Sequence, residues 1–181
     1  HNPMTACYFV TDDRRGPHFI SPKSEKADEL INSARVVLVE NDIPETLQPN
    51  GTLIQLHQGT PIMQLFLDSK EPHQNLNIYN YRARKYNKWT QQDYLIVDSE
   101  ESKTYFESAF PSQKIDILPV GYPRNNYLLN RINDVGLHKR IFSEINIDPT
   151  KRVLLYAPTW KTNSSNDDIF PINEQLLKHY N

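Results

Sequence analysis

Leu53-Ile54-Gln55-Leu56-His57-Gln58-Gly59-Thr60-Pro61 decides the fold. Leu53, Ile54 and Leu56 follow the turn residue Gly51 and make a buried strand. Gly59 permits a sharp turn, Thr60 can cap a helix, and Pro61 suits its first position. A strand that runs into a helix start puts polar side chains at the carboxyl edge of a sheet, where open α/β sheets bind ligands. Period two sends Leu53, Gln55 and His57 to one side and Ile54, Leu56 and Gln58 to the other. Ile54 and Leu56 read as the core face. Gln55 and His57 read as the polar face, with His57 in the cleft and Gln58 beside it. An ordinary strand–turn–helix joint with a surface histidine fits the same residues.

Outward from this stretch, strands alternate with helices. Ala6–Val10 is β-prone. Ser21 or Ser24 caps a helix from about Glu25 to Ser33. Ala34–Val39 is a continuous apolar run, the pattern of a strand covered on both faces. Pro61–Leu67 reads as a short helix, Leu76–Trp89 as a second. Asp93–Val97 is a strand, and Asp98-Ser99 opens a helix to Phe110. Lys114–Leu118 is a strand, then come the turn Val120–Asn126 and helices through Leu129 and over Val135–Ile145. Arg152–Tyr156 is the last strand, and Ile172–Tyr180 a final helix. The order predicts a mostly parallel, doubly wound α/β sheet.

Composition sets bounds. The chain has 181 residues and is 38% apolar, enough for a sizeable core. Five glycines against thirteen prolines favour fixed turns over flexible linkers. A net charge of −2 gives no field for nucleic acid. Cys7 is the single cysteine, which leaves no intrachain disulfide and fits a reducing compartment. No apolar run is long enough to span a membrane. The first residue is His1, not Met, and the last helical stretch stops abruptly, so the sequence reads as a piece of a longer protein.

The chemistry narrows by what is missing. There is no Cys cluster or close His pair for a metal, no GxxxxGK[ST], no GxGxxG and no GxSxG. The polar strand ends that remain are His57-Gln58, Asp98-Ser99, Tyr122-Arg124-Asn125 and Thr159-Lys161. Amides, hydroxyls and one or two cations suit metal-free transfer of a phosphate or sugar ester, with a histidine as general base. The helix around Tyr79–Trp89 carries Arg82, Arg84, Lys85 and Lys88 among aromatics. It suits an anionic surface or ligand, or equally a solvated face.

Three segments carry a family resemblance. Gly121-Tyr122-Pro123-Arg124-Asn125 and Leu155-Tyr156-Ala157-Pro158-Thr159-Trp160-Lys161 resemble the GYPRND and LYAPTWR segments of bacterial CDP-glycerol glycerophosphotransferases, the teichoic acid polymerase family. Gln55–Pro61 resembles that family's Trp-His-Gly-Thr-Pro segment. The resemblance implies a GT-B-type architecture of two Rossmann-like domains, truncated here in the second. Residues 1–125 would be the acceptor-side domain, 126–150 a helical connector and 151–181 the start of the donor domain.

It further implies that glycerol phosphate passes from CDP-glycerol to a lipid-linked polyol-phosphate acceptor, with release of CMP and without a cofactor or metal. The work would be cytoplasmic, at the inner face of the cell membrane, with the membrane surface a candidate partner. The family's base is the histidine before Gly-Thr-Pro. Here Gln58 holds that place and His57 sits one residue earlier. His57 is the candidate base and Gln58 the family's base position. Gly59, Thr60, Arg124, Asn125, Thr159 and Lys161 are candidate substrate ligands. The alternatives are a ribitol-phosphate or capsule polyol-phosphate transferase and a catalytically inactive acceptor-binding module.

Overall fold

The computed structural model describes residues 5–41, 43–44, 46–70 and 77–155. The chain divides into two compact units, His1–Asn126 and Tyr127–Asn181. In the first, strands β1 (Phe9–Val10) and β2 (Phe19–Ile20) form a small parallel pair. Helix α1 (Glu25–Ser33) follows, its first turn capped by Ser24, whose hydroxyl accepts from the Ala27 amide. Strands β3 (Val36–Val39), β4 (Thr52–Gln55), β5 (Tyr94–Ile96) and β6 (Asp116–Leu118) make a parallel sheet in that order. Helices α2 (Ile78–Trp89) and α3 (Glu100–Ala109) are the crossovers from β4 to β5 and from β5 to β6. The sheet is a parallel α/β one, as the alternation predicts.

Consecutive strand order with right-handed crossovers puts the connecting helices on one face. The pairing register places Val37, Leu53, Gln55, Leu95 and Ile117 on a common face. There Leu95 and Val97 pack with Phe66, Trp89, Phe106, Ala109 and Phe110. Trp89 and Phe110 stack with centroids 4.0 Å apart, and Phe66 stacks on Phe110 at 4.6 Å. The core therefore sits between the sheet and α2, α3 and a 3-10 turn at Phe66–Asp68.

Four expectations need correction. The β3 run is not covered on both faces: it is an edge strand, and Val36 and Leu38 are 53% and 61% exposed. A continuous apolar run records hydrophobicity but not how many layers lie over it. The faces of β4 are the reverse of those expected: Leu53 and Gln55 are buried, while Ile54 and Leu56 are half-buried. Gln55 tolerates burial because its Oε1 accepts the His57 amide at 2.9 Å.

Residues 61–67 form no helix beyond the 3-10 turn at Phe66–Asp68. The hydroxyl expected to cap it, on Thr60, is bonded to Asp98 instead. Finally, Arg152–Leu155 is not a strand, and Leu155 is 85% exposed. An apolar run becomes a strand only against a partner, and among the described residues it has none. Residues 156–181, with Thr159, Lys161 and the final helix, lie outside the described residues.

Helix α4 (Pro123–Arg131) runs across the division between the units. In the second unit, α5 (Val135–Glu144) starts at Asp134, whose carboxylate accepts the Leu137 amide at 2.9 Å. The same carboxylate pairs with Arg131 at 2.6 Å.

Candidate active site

The ends of all four sheet strands are tied together at the carboxyl edge. Glu40 and Asn41 follow β3, His57–Thr60 follow β4, Asp98–Ser102 follow β5, and Val120–Asn125 follow β6. Gln58 Nε2 donates to Asn41 Oδ1 at 2.6 Å, which joins the first two loops. Thr60 donates its hydroxyl to one Asp98 oxygen, and Ser102 to the other. The Gly121 amide bonds the Val97 carbonyl at 2.9 Å, which seats the last loop.

His57 is the centre of this belt. Its backbone is left-handed, with φ +53°. Such a conformation is costly for a residue with a Cβ and persists only when its surroundings fix it. Two bonds do so. The His57 amide donates to buried Gln55, and the His57 carbonyl accepts from Arg124 Nη1 at 3.0 Å. Gly59, at φ +145°, completes the turn in a region that demands glycine.

The imidazole lies edge-on to the Phe106 ring with centroids 4.8 Å apart, and its Nδ1 is 3.0 Å from the Gly59 carbonyl oxygen. A carbonyl only accepts, so this contact assigns the neutral ring's proton to Nδ1 and leaves Nε2 with the lone pair. Burial holds the His57 pKa below its usual value. The Gly59 carbonyl opposes this, and the cations of Arg124 and Lys85 add to it. The ring is neutral at pH 7.

Arg124 lies across the ring of Tyr122, 4.5 Å from its centroid, and Nη1 is 3.3 Å from Glu40 Oε1. Its Nη2 is buried without a hydrogen-bond partner. Tyr122 is 2% exposed, and burial followed by the charge of Asp98 raises its phenol pKa. Gln58, Thr60 and Asn125 are exposed, and Asn125 lies in the first turn of α4. The structure thus brings His57, Gln58, Gly59, Thr60 and Arg124 together.

Sequence reasoning did not assign Glu40 or Phe106 to this site; it named Asp98 only as a polar strand end and Gln55 only as sharing a face with His57. Asp98 had a signal, as a strand-end acid before a capping serine. Glu40 had none, since its partner lies 84 residues away.

The hydrogen bonds from Ser102 and then Thr60 lower the Asp98 pKa. A folded-state pKa below the unfolded one adds stability that is full above about pH 4 and disappears as pH falls through the folded value. In Thr60→Val/Ser102→Ala the urea midpoint should therefore fall less steeply below pH 4 than in the wild type. Parallel acid limbs would reject the role of these bonds.

The chain matches the profile of CDP-Glycerol:Poly(glycerophosphate) glycerophosphotransferase over residues 3–179. It belongs to this family. Over 137 residues it is 35% identical to a teichoic acid poly(glycerol phosphate) polymerase of Staphylococcus epidermidis, with 75% of this chain and 18% of that protein covered. It is 32% identical to a teichoic acid glycerol-phosphate transferase of Staphylococcus aureus, with 71% of this chain and 34% of that protein covered.

The structure of the wall teichoic acid polymerase TagF matches with a TM-score of 0.72 at 30% identity, over 80% of this chain and 36% of that one. A TagF His-to-Asn variant soaked with CDPG matches with a TM-score of 0.79 at 28% identity, over 93% and 44%. The chain spans about a fifth to a third of the length of these curated relatives. As a glycerophosphotransferase-family chain it carries the segment Gln55–Pro61 at the carboxyl edge of its sheet, where the fold collects its polar loops.

Proposed function

We propose that the protein of which this chain is part transfers glycerol phosphate from CDP-glycerol to a lipid-linked teichoic acid or related surface polymer. The observation that carries this reading is His57: a neutral imidazole, anchored through Nδ1, at the carboxyl edge of a family-typed α/β sheet. Nε2 would accept the proton of an acceptor hydroxyl. That oxygen would attack the phosphorus bearing the glycerol. The bond from phosphorus to the bridging oxygen would break, and CMP would leave with the electron pair.

Residues 1–125 would be the acceptor side of a GT-B pair, with Gly59, Thr60 and Asn125 beside the acceptor and Arg124 at the same edge. After the connector at 126–150, residues 151–181 would begin the donor domain, with Thr159 and Lys161 toward the donor. The test is CMP release by the full-length protein from CDP-glycerol with a lipid-linked acceptor. Release from CDP-ribitol alone would instead select a ribitol-phosphate transferase.

Work at the inner membrane face is part of the proposal. Among the described residues no helix is long and apolar enough to cross a membrane. On α2, Tyr79 is 83% and Tyr81 47% exposed, close in sequence to the exposed Arg84, and Ile62 is 92% exposed. An anionic surface attracts roughly 1 kcal/mol per nearby basic residue. Salt-sensitive binding to phosphatidylglycerol vesicles is expected. Equal sedimentation with neutral and anionic vesicles at low salt would reject it.

A further inference from the structure

We propose that Arg124 is a positioning residue for His57 rather than a ligand of the substrate. Its guanidinium, anchored by Glu40 and stacked on Tyr122, grips the His57 carbonyl and fixes the turn that aims the imidazole. The proposal rests on His57 as the base only for its bearing on catalysis.

One nitrogen and the flat face of the guanidinium are already committed. Nη1 serves both the His57 carbonyl at 3.0 Å and Glu40 at 3.3 Å. The flat face covers the Tyr122 ring, which is itself 2% exposed and so a rigid platform. Nη2 is buried, and a Cβ built on Gly59 would lie 3.8 Å from it. Nη2 is closed off from solvent, so a phosphate would reach it only after the surrounding loop moved.

The grip matters because of what it holds. His57 is left-handed, so rotation about its backbone would be downhill in the absence of restraint. The carbonyl that Arg124 holds belongs to the residue whose ring must face Gly59. If the peptide turns, the Nδ1 contact with the Gly59 carbonyl is lost, and with it the single tautomer that leaves Nε2 bare. The planar fork of arginine suits a site that needs stacking and a directed N–H at once.

The groups that act on the imidazole are few. The charges of Lys85, on α2, and of Arg124, in the first turn of α4, both disfavour its charged form. Phe106 covers it from α3 and carries no charge. Glu40, after β3, acts through Arg124, and Asp98, after β5, is held by Thr60 and Ser102.

The test is nitrogen-15 imidazole NMR of the 181-residue chain across pH, with the His57 signals identified by their absence in His57→Asn. The wild type should show one neutral tautomer, protonated at Nδ1, and a midpoint below about 6.5. Arg124→Lys keeps a cation but loses the stacked fork. It should lose the single-tautomer pattern, the two ring nitrogen shifts moving toward each other as the tautomers mix.

Glu40→Gln removes only an exposed anchor, 58% accessible, and so tests the same point in a chain that keeps its fold. It should move the two shifts in the same direction and less far. If both variants keep the wild-type pattern, Arg124 does not position His57 and the proposal is overturned. The readout needs no turnover. A full-length enzyme in which His57→Ala is silent would remove the base, while the tautomer pattern would still decide the positioning.

Discussion

His57→Ala in the full-length enzyme is expected to lower turnover by roughly 10²- to 10⁴-fold, the size of a lost general base, with a smaller effect on KM. The argument starts from protonation. The ring is neutral at working pH because burial and two cations disfavour its charged form. It holds one proton against the Gly59 carbonyl, so the opposite nitrogen is free to take another. Alanine removes that acceptor and leaves the backbone bonds to Gln55 and Arg124 in place.

The partner experiment is Gln58→His. Gln58 is exposed and bound to Asn41, so a histidine there would stand at the family's base position. If His57→Ala is silent and Gln58→His raises activity, the base belongs at position 58 and this chain has lost it. The reading as an inactive acceptor-binding module would then prevail.

Phe106→Ala is expected to have the largest effect on stability. Phe106 is fully buried, stacks on Trp89 with centroids 5.9 Å apart and meets His57 edge-on. Removing a buried phenyl ring costs about 3–5 kcal/mol, the transfer term plus the cavity. For a chain of this size that is roughly 6–20 °C in the melting temperature. The same change opens the imidazole to water. Burial is the main cause of the lowered His57 pKa, so the titration midpoint should rise. Phe106→Leu fills most of the space and should recover much of the loss. A melting temperature within about 2 °C of the wild type, a loss below about 1 kcal/mol, would show that the ring is not a core element.

Local elements were legible in the sequence because local physics makes them. The span Glu25–Ser33 and its Ser24 cap follow from one hydroxyl and helical spacing. Ser99 and two glutamates open α3 for the same reason. The parallel sheet followed from the alternation of elements, and the carboxyl edge followed from the sheet.

What stayed hidden depends on contacts between distant segments. Gln55 looked like a surface residue, since period two knows polarity but not that a buried amide can serve the next peptide. Thr60 looked like a helix cap, and its hydroxyl went to an acid 38 residues away. Arg124 was read as a substrate ligand, and nothing local named Glu40 as its partner. The open face of β3 was hidden because apolarity is the same with or without a cover.

The belt at the carboxyl edge also sets an order of events during folding. Its ties join residues 17, 38, 67 and 84 positions apart. The longest two end at Arg124, just past the last strand of the sheet. Contacts that far apart in sequence repay their loop-closure entropy only late. On a ribosome, the strand that leads into His57 emerges long before the arginine that grips it. The left-handed turn thus waits for the completion of β6, and the nitrogen that would do the chemistry is aimed only after the whole sheet has assembled.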